Sequence, residues 1–81
     1  LAGHIPQELG VLKELKCLYL SGSNFTGHIP PQVGDLGAIK HLYLSMNKLD
    51  GVIPAQLGDL NKLTWLDLSH NQLSGERRIG V

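Results

Sequence analysis

Short runs along the chain alternate between hydrophobic and polar residues with a period of two. The clearest runs are "CLYLS", "HLYLS" and "WLDLS", at residues 17–21, 41–45 and 65–69. Alternation with this period is typical of a β-strand with one buried face. The three runs therefore predict three strands, with leucines facing inward and the intervening residues facing outward.

The runs recur at a fixed spacing of 24 residues. Residues 18–36 and 42–60 align at this shift with 11 identical positions of 19, and residues 66–75 and 1–12 align at the next shifts. A fixed period of this length indicates a repeat architecture. Stacked repeats place equivalent strands side by side in a parallel sheet, about 4.8 Å apart.

The same spacing stacks the apolar side chains of successive repeats into inward columns. The predicted columns are Leu15, Ile39, Leu63; Leu18, Leu42, Leu66; Leu20, Leu44, Leu68; Leu1, Phe25, Leu49, Leu73; Ile5, Ile29, Ile53; Leu9, Val33, Leu57; and Leu12, Leu36, Leu60.

Glycine and proline mark where each repeat leaves the strand side. Gly27, Gly51 and Gly75 predict turns. Pro30 and Pro54 cannot continue a central strand, so they belong at a bend. The "P-x-x-L-G-x-L" run that follows is too short for an α-helix and predicts a 3₁₀ turn.

The full pattern, L-x-x-L-x-L-x-x-N-x-L-x-G-x-I-P-x-x-L-G-x-L, resembles the leucine-rich repeat, and its G-x-I-P and L-G-x-L elements resemble the plant-type, 24-residue subclass. The resemblance rests on Leu18, Leu20, Gly27, Ile29, Pro30, Gly34 and Leu36, on Leu42, Leu44, Asn47, Leu49, Gly51, Ile53, Pro54, Leu57, Gly58 and Leu60, and on Leu66, Leu68, Asn71, Leu73 and Gly75. It implies an α/β solenoid, a right-handed superhelix with a parallel β-sheet on the concave face and 3₁₀ or irregular segments on the convex face.

The predicted repeat array covers residues 1–75. It consists of a partial repeat (1–14), two repeats (15–38 and 39–62) and a second partial repeat (63–75), followed by a non-repeat tail (76–81). We interpret the chain as a fragment of a larger leucine-rich-repeat protein, because it starts with a half-turn that lacks a strand and does not begin with Met.

The asparagine that follows each strand has a structural role in the resembled family. The resemblance implies that Asn47 and Asn71 point inward and bond the backbone of the neighbouring turn, which buried backbone groups require. In the first repeat Ser23 occupies this position, and Asn24 falls in the column of Lys48 and Gln72, which faces solvent. Asn24-Phe25-Thr26 is also an N-glycosylation acceptor sequence, so Asn24 is a predicted glycan site if the parent protein is secreted.

The outward strand positions form the predicted binding face. The resemblance implies that the concave sheet contacts a protein or peptide partner, and aromatic residues dominate binding hot spots. The predicted ligand-binding residues are Tyr19, His41, Tyr43, Met46, Trp65, Asp67 and His70. The alternative is that the tyrosines are present because they favour strands. The outward column of Ser21, Ser45 and Ser69 is predicted to be structural or neutral.

Other kinds of chemistry find little support in the sequence. Seven basic and seven acidic residues leave no basic surface for nucleic acid, and no apolar run reaches the roughly 20 residues of a membrane span. Cys17 and His41 share a column, but two ligands are too few for a zinc site. Ser69, His70 and Asp67 lie close in sequence without forming a predicted pocket. We therefore predict no catalytic residue, no metal and no cofactor.

The function that these observations favour is protein or peptide recognition within a receptor-like ectodomain in signalling or defence. The parent protein is then extracellular or at the cell surface. The alternatives are a repeat segment of a cytoplasmic multidomain signalling protein similar to Roco-type GTPases, an inhibitor-like repeat protein, and a scaffold without a ligand.

Overall fold

The computed structural model describes residues 3–74. The predictions made for Leu1, Gly75 and the tail 76–81 lie outside the described residues. In chain order the elements are β1 (Gly3–His4), the 3₁₀ helix η1 (Gln7–Val11), β2 (Cys17–Tyr19), β3 (Phe25–Gly27), η2 (Pro31–Asp35), β4 (His41–Tyr43), β5 (Lys48–Val52), η3 (Ala55–Asp59), β6 (Trp65–Asp67) and β7 (Gln72–Ser74).

The three strands predicted from the alternating runs form one parallel sheet in the order β2-β4-β6. Their register follows the repeat, because Leu18 lies opposite Leu42 and Leu42 lies opposite Leu66. Backbone bonds continue the pairing past the strand ends, where the Leu44 amide donates to the Asp67 carbonyl at 2.8 Å. The predicted strands and the 24-residue stacking are confirmed in this sheet.

A second parallel sheet, in the order β1-β3-β5-β7, was not predicted and replaces part of the expected irregular segments. Its register is offset by 22 residues, with Thr26 opposite Lys48 and Asp50 opposite Gln72. The offset differs from the repeat length by two residues, and a shift of two keeps each side chain on the same face of a strand. The sequence does not reveal these strands because they are short, and because β1, β3 and β5 contain glycine, which weakens a strand pattern.

The 3₁₀ helices begin where the sequence places proline. Pro30 and Pro54 precede η2 and η3 with φ of −66° and −63°, and both adopt extended backbone. Each helix ends at a leucine whose amide donates to the carbonyl three residues earlier, as Leu36 does to Val33. The predicted 3₁₀ turns and the proline bends are confirmed.

The core fills the space between the two sheets and the 3₁₀ helices. The buried apolar residues are Ile5, Ile29, Val33, Leu36, Ile39, Leu42, Leu44, Leu49, Ile53, Leu57, Leu60, Leu63 and Leu68, and all of them belong to predicted inward columns. Leu9, Leu15, Leu18, Leu20, Phe25, Leu66 and Leu73 pack against this cluster and are partly buried.

Leu12 contradicts its predicted column, because 49% of the residue is exposed while Leu36 is fully buried. Leu36 has a column neighbour on each side, whereas Leu12 is covered from the Leu36 side alone. Leu60, at the other end of the column, is only 6% exposed. The two ends of the described array are therefore not equivalent.

Candidate binding surface

The outward side chains of β2, β4 and β6 form one continuous surface, which we call the sheet surface. It consists of Cys17, Tyr19, His41, Tyr43, Trp65 and Asp67. Residues i and i+2 of a strand point to the same face, and residues paired between strands lie side by side. The structure thus brings together five of the seven predicted ligand-binding residues.

An aromatic stack dominates one side of the sheet surface. The rings of Tyr19 and Tyr43 lie 4.6 Å apart between centroids with an angle of 12° between their planes. Tyr19 is 66% exposed and Trp65 is 53% exposed, on either side of the half-buried Tyr43 and His41. Large aromatic groups that remain exposed on a rigid sheet are the feature expected of a recognition surface.

Cys17 contacts His41 on the sheet surface and lies two residues before Tyr19 on the same strand. Its Sγ lies 3.3 Å from His41 Nδ1 on the adjacent strand. The pKa of Tyr19 is raised above its ordinary value, first by unfavourable electrostatics with Cys17, then by desolvation, and further by hydrogen bonding with Cys17 and by electrostatics with Tyr43. The Tyr19 phenol therefore stays neutral across the physiological range and presents an uncharged ring.

Asp67 is the acidic residue of the sheet surface. It is half-buried and lies opposite Tyr43 in the register. The Ser69 hydroxyl and amide donate to its Oδ1 at 2.7 and 3.1 Å. These bonds, with smaller contributions from Ser45 and His70, outweigh desolvation and hold the pKa of Asp67 below its ordinary value. Asp67 is thus a fixed negative charge beside an aromatic ring.

Met46 and His70, the other two predicted ligand-binding residues, lie on the turns after β4 and β6 rather than on the strands. Both are exposed. Their φ values are +57° and +56°, and Gly22 holds the same place in the first repeat with φ of +69°. Residues other than glycine and asparagine rarely adopt this left-handed backbone conformation. Met46 and His70 therefore lie next to the sheet surface, on turns whose backbone conformation few residue types adopt.

The serine column is not uniformly outward as predicted, because Ser45 is only 7% exposed. Its hydroxyl lies 2.9 Å from the hydroxyl of Ser21 on the neighbouring repeat. Because serine is short, neighbouring repeats can pack closely at this position. Ser69 differs from Ser21 and Ser45 because its hydroxyl donates a hydrogen bond to Asp67. The spacing Asp-x-Ser is the sequence signal for that contact.

Asn47 has the structural position that the sequence predicts. It is 8% exposed. Its Oδ1 accepts from the amides of Ser23 and Phe25, and its Nδ2 donates to the carbonyls of Leu20, Leu44 and Ser45. Asn71 repeats this arrangement one turn later. It accepts from the Leu49 amide and donates to the carbonyls of Leu44, Leu68 and Ser69.

Asn24 is exposed and adopts a left-handed conformation with φ of +59°. The turn after β2 therefore has two left-handed residues, Gly22 and Asn24, where the turns after β4 and β6 have one each, Met46 and His70. Asparagine tolerates this conformation better than other side chains with a Cβ. The out-of-register asparagine accordingly has a backbone role in the turn in addition to its exposure. Ser23, at the inward position, is half-buried.

Among residues 3–74 neither a metal-ligand cluster nor a serine–histidine hydrogen bond at Ser69 is seen. No group of three or more His, Cys, Asp or Glu side chains that could hold a metal ion occurs in that range. The Ser69 hydroxyl donates to Asp67 instead of to a histidine, so it lacks the base that activates a nucleophile. In the same range, no helix has the length and apolar character needed to cross a membrane.

The fold and the site can be compared with known proteins. The family model described as "Leucine rich repeat" matches residues 13–73. No curated protein matches the chain.

Three solved structures are similar over most of the chain. A TDR receptor is 46% identical with a TM-score of 0.91, over 94% of this chain and 13% of the receptor. The BIR3–SERK2 complex from Arabidopsis thaliana is 43% identical with a TM-score of 0.86, over 91% and 40% of the two chains. The Arabidopsis receptor kinase HAESA, in complex with the peptide hormone IDA and the co-receptor SERK1, is 38% identical with a TM-score of 0.89, over 94% and 13%.

The chain spans less than half the length of each of these three structures. Matches to receptor ectodomains at this identity agree with the plant-type repeat pattern read from the sequence. The parallel strands, the 3₁₀ turns, the inward asparagines and the family model lead to the same conclusion. The chain belongs to the leucine-rich-repeat family, and its repeats are of the plant type.

Proposed function

We propose that this chain is a protein- or peptide-recognition module of a receptor-like ectodomain, and that the sheet surface is where the partner binds. The observation that carries the proposal is the stacked pair of Tyr19 and Tyr43 beside the exposed Trp65. These rings have little conformational freedom to lose on binding, and each offers a large apolar area. The chain acts by binding rather than by catalysis.

The similar structures support a peptide as the partner. The HAESA structure contains a peptide hormone and a co-receptor, and a similar plant receptor, RGFR1, is in complex with RGF2 at 36% identity. A protein interface usually needs about 800 Å² from each partner. Residues 3–74 measure 26 × 26 × 17 Å, so the sheet surface suits an extended peptide or part of a larger interface.

A phage-displayed library of random dodecapeptides tests this function. The immobilised chain is expected to enrich peptides whose binding is lost in a Tyr43→Ala, Trp65→Ala double variant. A matched control replaces two exposed valines outside the sheet surface, Val11→Ala and Val52→Ala, and is expected to retain binding. Circular dichroism melts verify that both variants fold. Selected peptides that bind the two variants equally would exclude the sheet surface as the binding site.

An extracellular location of the parent protein is the second part of the proposal, and it includes a glycan on Asn24. Asn24 is exposed in a turn beside the sheet surface, and Thr26 supplies the hydroxyl of the acceptor sequence. Expression of the chain through a secretory pathway, followed by peptide mass spectrometry, is expected to find a glycan that Thr26→Ala abolishes. An unmodified Asn24 in the secreted chain would contradict this part alone.

A further inference from the structure

Asp67 lies in a setting that fits a cation better than a neutral group. The Ser69 hydroxyl and amide hold its carboxylate by hydrogen bonds. Within the described part of the chain, His70 is the one titratable side chain that helps to lower the pKa of Asp67, and its effect is the smallest of the causes. No lysine or arginine among residues 3–74 contributes to that shift. Asp67 is therefore an ionised carboxylate that is not paired with a lysine or arginine among residues 3–74, and a cationic group of a ligand would add a charge-assisted hydrogen bond to it.

Two aromatic residues are neighbours of Asp67 on the sheet surface. Tyr43 lies opposite Asp67 on β4, at the strand spacing of about 4.8 Å. Trp65 precedes Asp67 by two residues on the same face of β6, about 6.8 Å away along the strand. The face of an aromatic ring carries partial negative charge and attracts a cation placed over it.

The Tyr43 ring is held in place by its own contacts. Tyr43 stacks on Tyr19, and its strand lies between β2 and β6 in the sheet. His41 lies on β4 between Cys17 of β2 and Trp65 of β6, and its Nδ1 is within hydrogen-bond distance of the Cys17 Sγ. A preorganised site loses little entropy when a ligand binds. The Asp67 carboxylate and the Tyr43 ring are therefore positioned before a ligand arrives.

We propose that Asp67, Tyr43 and Trp65 form a receptor for an arginine side chain of the bound peptide. A guanidinium group is planar, stacks on aromatic faces and donates two parallel hydrogen bonds to a carboxylate. A lysine ammonium is a compact, strongly hydrated charge that cannot make the bidentate contact. The inference rests on the proposed function, because it names the partner chemistry of the same surface.

Trp65 provides a direct measurement of this site, since it is the only tryptophan in the chain. Titration with N-acetylarginine amide is expected to change the Trp65 fluorescence with a dissociation constant on the order of millimolar, because a single residue buries little area. N-acetylcitrulline amide has the same shape without the charge. It is expected to bind at least about tenfold more weakly.

Two variants separate the carboxylate from general electrostatics. Asp67→Asn keeps an oxygen that accepts from Ser69 and removes the charge, and it is expected to weaken arginine binding about tenfold. Asp59→Asn removes the same charge from the exposed end of η3 and is expected to leave arginine binding unchanged. Citrulline binding equal to arginine binding, or arginine binding unaffected by Asp67→Asn, would overturn the arginine receptor.

The peptide library separates failure of this inference from failure of the proposed function. Enriched peptides that depend on Tyr43 and Trp65 and are rich in arginine support both. Enriched peptides that depend on these rings but lack arginine overturn the receptor and leave the recognition function standing. An Asp67-dependent arginine response without any enriched peptide supports the receptor and contradicts peptide recognition.

Discussion

Asn47 connects two repeats through five hydrogen bonds from one side chain. Three of them reach into the preceding repeat, at Leu20, Ser23 and Phe25. Backbone groups at such a turn face inward and have no strand partner, so a side-chain amide with both a donor and an acceptor replaces the water they have lost. The resemblance to the leucine-rich repeat implies this role for Asn47.

We expect Asn47→Ala to lower the free energy of unfolding by about 1–3 kcal/mol, because buried backbone groups lose their partners. Asn71→Ala is the matched comparison and is expected to cost less, since Asn71 is half-buried and its backbone partners have more access to water. Urea unfolding of both variants measures the difference. Equal costs, or an Asn47→Ala variant as stable as the parent, would contradict this account.

The residue scale also includes the charge state of Asp67. Its pKa in the folded chain lies below the ordinary value of 3.8. The carboxylate therefore stabilises the folded state above the unfolded pKa of about 3.9, and this contribution is lost as the pH falls through the lowered pKa.

We expect acidification from about pH 6 to about pH 3 to destabilise Asp67→Asn less than the parent chain, by about 0.5 kcal/mol, since the group is close to solvent. Urea unfolding at the two pH values gives the difference. Asp59→Asn is the control, because it removes a carboxylate that does not contact Ser69. A parent and an Asp67→Asn variant with the same acid sensitivity would show that Ser69 does not tune this group.

At the scale of elements, neighbouring 3₁₀ helices pack so closely that glycine is required. A Cβ atom built on Gly34 would lie 2.5 Å from the Gln56 carbonyl oxygen of the next repeat. Gly10 has the equivalent contact of 2.7 Å with the Gln32 carbonyl oxygen. The obstacle is backbone, which cannot move aside as a side chain can. The glycine of the "L-G-x-L" element thus sets the spacing between repeats.

We expect Gly34→Ala to cost about 1–3 kcal/mol of unfolding free energy, because the added methyl group forces two 3₁₀ helices apart. Gly37→Ala is the control, since no atom lies within 4 Å of a Cβ at that position and its φ is not positive. It is expected to be neutral or slightly stabilising. Thermal melts of the two variants compare them, and a tolerated Gly34→Ala would indicate looser packing than the structure shows.

For the whole molecule, stability depends on contacts between neighbouring repeats, because a repeat meets only those beside it. Leu42, in the middle of its column, is fully buried, whereas Leu18 and Leu66 on either side are half-buried. The same residue type at equivalent positions therefore has different surroundings. The centre of the array carries more of the packing energy than either end.

We expect Leu42→Ala to cost about 2–5 kcal/mol and Leu18→Ala about half as much, because a cavity in the centre cannot be filled from solvent. Denaturant unfolding measures both, and native-state hydrogen exchange is expected to protect the amides of β4 more than those of β2. Equal costs at the two positions would indicate that the outer strand is as tightly packed as the central one.

The sequence by itself determined the repeat length, the inward columns and the first sheet. Each of these follows from a periodic pattern, and stacking translates that pattern directly into neighbours in space. The aromatic positions of the sheet surface follow from the same arithmetic, so Tyr19, Tyr43 and Trp65 could be placed on one face before the structure was known.

Tertiary structure alone decided the features that depend on how each repeat packs against the next. The second sheet needs an offset of 22 residues, which no 24-residue pattern contains. The burial of Ser45, the exposure of Leu12 and the left-handed backbone of Met46 depend on local closure of the turns. Periodicity fixes which residues are neighbours, while their contacts are set by three-dimensional packing.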